Sequence, residues 1–225
     1  MGAVLRVAIP GGNGKTGRAV AAALRERGAT AVPLGRGDRV GAAAAGCDAA
    51  YLIAPNMHPD EPALIAGLLD ELKAAGVGRV VHHSVASPYA PDMPHHLGKA
   101  RAEDLVRRSG LRWTILQPGA YLQNLDVTGP VRVPYDVDAV FGFADLADVA
   151  TAAATVLLEP GHDGATYELA SRTATVAQLA AEAGVTAERI PGPSGAGEWL
   201  DAMFAYYDRY GLPVGTRTLA ALLDR

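Results

Sequence analysis

The chain has 225 residues, 49% hydrophobic and 20% charged, with a net charge of −4, the balance of one globular domain or of one domain with a small appended lobe. A sequence pI near 5.8 and the lack of a basic stripe argue against a nucleic-acid partner. The single cysteine, Cys47, excludes an internal disulfide framework or a thiolate metal cluster. No run of about 18 apolar residues and no charged-then-apolar leader is present, which predicts a cytoplasmic protein with no membrane partner.

Short apolar runs then alternate with amphipathic stretches. Val4–Ile9 reads as a buried strand, followed by a glycine-rich turn and a helix over Lys15–Arg27 closed by Gly28. Thr30–Leu34 and Ala49–Ala54 are the next strands, the latter ending at Pro55. A helix over Asp60–Ala75 stops at Gly76; Arg79–Ser84 is a strand, Pro94–Ser109 a helix ending at Gly110, and Arg112–Gln117 a strand ending at Pro118. This rhythm predicts an α/β, Rossmann-like doubly wound parallel sheet. Beyond Pro118 the rhythm breaks. Residues 131–143 read as irregular extended chain, Ala144–Leu158 as an Ala-rich helix and Ala165–Leu169 as a strand. From Thr175 onward helices are interrupted by Pro191, Gly192, Pro193 and Gly195 to Gly197.

The expected organisation is a dinucleotide-binding domain over residues 1–170, with 121–138 contributing to the substrate side, and a small, mostly helical substrate lobe over 171–225. The aromatics Trp199, Phe204, Tyr206, Tyr207 and Tyr210 read either as packing against the main domain or as a lid over a pocket. Arg107-Arg108 reads as a solvated helix face. Cys47, with no basic neighbour in sequence, reads as an inert small residue.

The turn is Pro10-Gly11-Gly12-Asn13-Gly14-Lys15-Thr16-Gly17, with glycines 11, 14 and 17 in the spacing G-x-x-G-x-x-G between strand and helix. Gly11 permits the sharp turn, Gly14 a close approach of backbone to a pyrophosphate, and Gly17 close helix–strand packing. The helix N-terminus adds free N–H groups and the positive end of its dipole. Gly14-Lys15-Thr16 also resembles the end of a nucleoside-triphosphate phosphate loop, but that motif needs a glycine where Ile9 stands. After the second strand Arg36 precedes Asp38; an Arg there favours the 2′-phosphate of NADP over the free ribose of NAD, and Lys15 could add a second charge to that phosphate. NADPH is therefore the preferred cofactor, with NADH possible.

Several segments together resemble the NmrA-like family, atypical extended short-chain dehydrogenase/reductases. They are the glycine turn, Asp48–Pro55, Gly76–Ser84, Lys99–Glu103, Ser109–Gly119, Asn124, Asp145–Ala150 and Tyr206–Gly211. Gln117 stands where the family usually has Arg, and Thr16 where it usually has an apolar residue. The resemblance implies that Gly11, Gly12, Asn13, Gly14, Lys15, Thr16, Gly17, Arg36, Ala54, Pro55, Ser84, Lys99, Pro118 and Gly119 hold the cofactor. Short-chain reductases pair a strand-end Ser with Y-x-x-x-K. Here Ser84 and Lys99 match, while His95 stands in place of the Tyr and shares a helix face with Lys99. His95 could donate a proton, or it could simply open a helix. By the same resemblance Tyr121 and Asn124 line the substrate side, and Tyr121 is a displaced phenol donor.

Of His82 and His83, consecutive on a strand, one should pack against a helix and the other face the cleft; sequence alone does not choose. His58 falls near the same crevice edge. No His or Cys spacing suggests a metal. The catalytic set is thus Ser84, His95, Lys99 and Tyr121. The leading function is NADPH-dependent reduction of a carbonyl, quinone or activated alkene of a small molecule, by a monomer or homodimer. A redox-neutral cyclase, isomerase or dehydratase, or a non-catalytic NADP(H) sensor, are the alternatives raised by the missing Tyr.

Overall fold

The structure is a computed structural model that describes residues 4–192, 195 and 197–225. In chain order it runs β1 (Arg6–Pro10), α1 (Lys15–Glu26), β2 (Thr30–Leu34), α2 (Val40–Ala43), β3 (Ala49–Ile53), α3 (Glu61–Ala74), β4 (Arg79–His83), α4 (Pro94–Arg108), β5 (Arg112–Pro118) and β6 (Ala120–Tyr121). A single 3-10 turn, Leu122–Asn124, leads to β7 (Val131–Val133), β8 (Phe141–Ala144), α5 (Leu146–Leu158), β9 (Ala165–Leu169) and β10 (Arg172–Ala174). The chain closes with α6 (Val176–Glu182), β11 (Ala187–Arg189), α7 (Glu198–Tyr210) and α8 (Arg217–Leu222).

Six parallel strands form the main sheet in the order β2-β1-β3-β4-β5-β9. Its central strands are buried on both faces, which is why they read as unbroken apolar runs rather than alternations. One face carries Val7, Ile9, Tyr51, Val81 and Leu116 against Val20 and Leu24 of α1 and the alanines of α5. The other carries Ala8, Leu52, Val80 and Ile115 against Ile65 and Leu72 of α3 and Ala102 and Val106 of α4. The helix starts follow local chemistry: Asp60 accepts from the Ala63 amide to open α3, and Asp145 from the Ala147 amide to open α5. Among the described residues no helix is long and apolar enough to cross a membrane.

The doubly wound sheet expected from sequence is present. Residues 131–143, expected to be irregular, instead contain β7 and β8. Their partners lie far along the chain: β8 pairs with β10 and β6, and β7 with β11. Strands of three or four residues stabilised by such distant pairing leave no period to read. The two small sheets cover a second core of Met93, Tyr135, Phe141, Phe143, Leu179, Tyr207 and Leu212. Phe204 and Tyr207 of α7 meet Tyr135 at ring-centroid distances of 5.7 and 5.8 Å, so these two aromatics are packing residues. Gly119 lets the end of β5 approach this layer; a Cβ there would lie 2.0 Å from the Gly142 carbonyl oxygen. Pro193 and Ala196, within the expected helix break, lie outside the described residues.

Candidate functional site

The order of strands reverses between β1 and β3, and in open parallel sheets ligands bind outside the carboxyl ends of the strands at such a point. The glycine turn sits over it. Gly11 has φ +82°, and a Cβ there would lie 2.5 Å from the Ile53 carbonyl oxygen, so the turn lies directly on the end of β3. A Cβ on Gly12 would lie 2.6 Å from both the Ile9 oxygen and Pro33 Cα, and one on Gly17 2.5 Å from Gly12 Cα. The spacing argument assigned strand packing to Gly17. The structure gives that contact to Gly12, and Gly17 instead packs α1 onto the turn itself.

Gly14 is the residue before α1, in extended conformation, and no side chain caps the helix. The amides of Lys15, Thr16 and Gly17 lack intrahelical acceptors, and no acidic residue occupies the first turn. A backbone cradle closed to any Cβ, ending on an uncapped positive helix end, fits a pyrophosphate.

At the end of β2, Asp38 Oδ2 accepts from the Gly35 amide at 2.6 Å and is tied into the turn. Arg36 is exposed and, among the described residues, has no ion-pair partner. Asn13 lies against the same turn, its Nδ2 2.6 Å from where a Gly35 Cβ would be. Arg18 donates to the Asn13 carbonyl at 2.6 Å, bringing a second guanidinium to this end that sequence reasoning missed. Lys15 does not join it: Nζ donates to Asn124 Oδ1 at 3.1 Å, in the 3-10 turn that follows β6. Ala54 is buried beside the turn and Pro55 exposed.

The two histidines of β4 divide between the faces. His83 shares a face with Tyr51: Tyr51 Oη lies 2.7 Å from His83 Nδ1, and Tyr121 Oη 3.3 Å from His83 Nε2. Thr16, from the turn, lies beside the same Tyr121 hydroxyl and lowers its phenol against the larger effect of burial. Burial and then the Lys99 charge push the His83 imidazole down to about 3, and burial raises both phenols. The trio is therefore neutral at ordinary pH. Thr16, a departure from the family pattern, thus has a polar partner.

His82 is sealed on the opposite face, with no hydrogen-bond partner for either ring nitrogen among the described residues. Burial, then Lys99, holds it well below its ordinary value.

On that same side the expected short-chain constellation is engaged elsewhere. Ser84 Oγ donates to Glu103 Oε1 at 2.6 Å. Gln117 Nε2 donates to the same oxygen at 2.7 Å, and Arg107 to Glu103 Oε2 at 3.0 Å. Arg107, expected on the solvated face, therefore compensates a fully buried carboxylate; Arg108 does remain exposed, paired with Asp104. Lys99 Nζ donates to buried Glu61 Oε1 at 2.9 Å. His95 does feel Lys99 across one helical turn, but burial and that charge push it down to about 4. At neutral pH it is therefore the neutral imidazole. His96 binds the Ser87 carbonyl through Nδ1, and His58 accepts from the Asp60 amide.

Pro118 and Gly119 serve chain packing. The Pro118 carbonyl accepts from the Ala86 amide, and the Gly119 amide donates to Leu169. Cys47 is buried, and burial pushes its thiol up, which makes it unreactive. Sequence reasoning missed Tyr51, Glu61, Glu103 and Arg107 as parts of this site. Glu103 closes the Lys99–Glu103 segment of the family resemblance, and Tyr51 is a phenol in an otherwise aliphatic strand two positions along the shared face from His83; Glu61 and Arg107 left no such signal.

A family model described as NAD(P)H-binding matches residues 33–160. The NAD(P)H azoreductase of Xenophilus azovorans is 32% identical over 161 residues, covering 65% of this chain and 55% of that protein. The aligned stretch spans about half the length of the curated relatives it matches. Among solved structures, an NADPH-dependent quinone oxidoreductase of Escherichia coli in complex with NADPH superposes with a TM-score of 0.80 at 24% identity, covering 97% of this chain and 95% of that one. NmrA, a negative transcriptional regulator, in complex with NAD, gives a TM-score of 0.79 at 18% identity, over 98% and 91%.

Proposed function

The chain belongs to the NAD(P)H-binding family, and from that premise we propose that it is an NADPH-dependent reductase of small molecules carrying a carbonyl or quinone. The observation that carries the reading is the glycine cradle at the start of α1, uncapped among the described residues, with Arg36 beside it and likewise without an ion-pair partner among them. Similarity to an NAD(P)H azoreductase and to an NADPH-dependent quinone oxidoreductase supports the same class of reaction. Gly11, Gly12, Gly14 and Gly17 would hold the pyrophosphate with the first-turn amides. Arg36, with Arg18 beside it, would hold the 2′-phosphate, while Asp38, bound to Gly35, leaves that place to a cation. The bound cofactor would supply a hydride.

In this reading Tyr121 gives its Oη proton to the substrate oxygen. This reading assigns the proton to Tyr121 rather than to His95, whose imidazole is neutral and lies on α4. Ser84 and Lys99 act from beneath, fixing the end of β4 and α4 through Glu103 and Glu61. Lys15 and Asn124 bridge the crevice at the substrate end. The second core, built from residues of 86–93, 131–143 and 170–214, would be the substrate side. The same reading places the protein in the cytoplasm as a monomer or homodimer.

The experiment is loss of reduced-nicotinamide absorbance across a panel of quinones, carbonyls and azo compounds, with NADPH and NADH affinities measured in parallel. Arg36→Ala removes a charge-assisted phosphate contact, so NADPH affinity should fall about ten- to hundredfold with NADH little changed. Equal loss for both cofactors refutes the assignment of Arg36.

A further inference from the structure

The deepest polar feature beside the glycine turn is the row Thr16–Tyr121–His83–Tyr51, which links α1 to the interior of the sheet. Tyr51 has no solvent exposure, and among the described residues its hydroxyl makes one hydrogen bond, to His83 Nδ1. A buried phenol must place its proton on an acceptor. The alternative, His83 donating from Nδ1, leaves that proton unpaired in the core. Such a loss disfavours the Nδ1–H form by about tenfold or more.

We propose that Tyr51 and His83 are positioning residues that set the direction of the Tyr121 proton. Tyr51 Oη donates to His83 Nδ1, His83 Nε2–H donates to Tyr121 Oη, and the Tyr121 proton is left pointing into the cleft. This rests on the reductase reading with Tyr121 as donor. The neutral imidazole carries one proton, so an accepting Nδ1 requires a donating Nε2. Tyr121 Oη then accepts from His83, with the Thr16 hydroxyl beside it, and its own proton is free to turn outward.

The consequence is chemical. As the substrate oxygen becomes basic on reduction, the Tyr121 O–H bond breaks and the proton moves to that oxygen. The electron pair stays on Tyr121 Oη as a phenolate, which the His83 N–H and the Thr16 hydroxyl stabilise by hydrogen bonding. Solvent returns the proton once product leaves. Burial raises the Tyr121 phenol, so without these two donors the phenolate would be strongly disfavoured in the half-buried site.

The test combines nitrogen NMR of ¹⁵N-histidine-labelled full-length protein with kinetics. In wild type, His83 should show a protonated Nε2 and an unprotonated Nδ1; an Nδ1–H signal overturns the proposal whatever the activity. Tyr51→Phe removes a single oxygen from a ring that stays packed. Its kcat should fall about tenfold or more with KM and NADPH affinity within about twofold, and its solvent isotope effect on kcat should rise as proton transfer becomes slower. His83→Gln, which keeps an N–H for Tyr121, should retain about tenfold more kcat than His83→Leu. Unchanged kcat and isotope effect in Tyr51→Phe would overturn the proposal, as would Gln and Leu variants equally impaired in both kcat and cofactor binding. Wild-type protein that binds NADPH but consumes none with any acceptor would instead overturn the reductase reading, while the NMR signal still decides the tautomer.

Discussion

Four histidines of this chain, His82, His83, His95 and His96, are buried and neutral, and this ties its stability to pH. His83 is pushed down to about 3, and His95 and His96 to about 4, in each case first by burial, with the Lys99 charge adding to it. His82 is held well below its ordinary value for the same reasons. Because the folded values lie below the unfolded value of 6.5, the stabilisation is full above that value and is lost as pH falls toward the folded ones. From pH 7 to about pH 5 each of His83, His95 and His96 costs just under about 2 kcal/mol. The three together cost about 5–6 kcal/mol, against a total stability of about 5–15 kcal/mol for a domain, and His82 acts in the same direction. Urea unfolding followed by circular dichroism should therefore show the midpoint falling steeply between these pH values. His82→Leu sharpens the test, since both His82 nitrogens lack partners and its strand neighbours are Leu52 and Ile115. The variant should be about 1–3 kcal/mol more stable at neutral pH, and its advantage should grow as pH falls toward about 5, because His82 is held well below its ordinary value. A wild-type stability that changes by less than about 2 kcal/mol over this range, or a variant with an unaltered pH slope, refutes the reasoning.

Two further outcomes follow from packing. Glu103→Ala leaves Arg107, Ser84 and Gln117 without their shared acceptor and should cost about 3–5 kcal/mol in urea unfolding; a loss under about 1 kcal/mol would mean that the network contributes nothing net. Gly12→Ala drives a Cβ against backbone of both β1 and β2, costing about 1–3 kcal/mol and weakening NADPH in a binding titration, and unimpaired affinity would show that the turn adapts.

The main sheet was legible because its strands are buried on both faces and its helices end at glycine or proline, signals that reside in neighbouring residues. The turn was legible for the same reason, since Gly11 and Gly17 answer to local geometry. What escaped depends on chain brought together from afar. Arg107 was read as surface because a charged helix position normally is, and nothing nearby in sequence reveals that Glu103 beside it is fully enclosed by β4 and β5. Lys15 was assigned to the phosphate end because it lies in the turn; its actual partner, Asn124, is more than a hundred residues away. The pairing of β7 with β11 was hidden in the same manner.

The departure at Gln117 bears on where the chemistry sits. A carboxylate as enclosed as Glu103 needs compensating charge and hydrogen bonds. With Gln rather than Arg on β5, the strand supplies only a neutral donor, and the charge comes from Arg107, one turn along α4. Glu103 Oε1 thereby takes the Ser84 proton as well, so the residue after β4 is bound to the scaffold and is no free donor to the cleft. Side chains alternate across a strand, so His82 and Ser84 turn toward α4 while His83 turns toward Tyr51 and Tyr121. His95 is neutral and Lys99 is held by Glu61. In the reductase reading Tyr121, on the other face of β4, is the acid group, because it reaches His83 and lies beside Thr16 of the glycine turn.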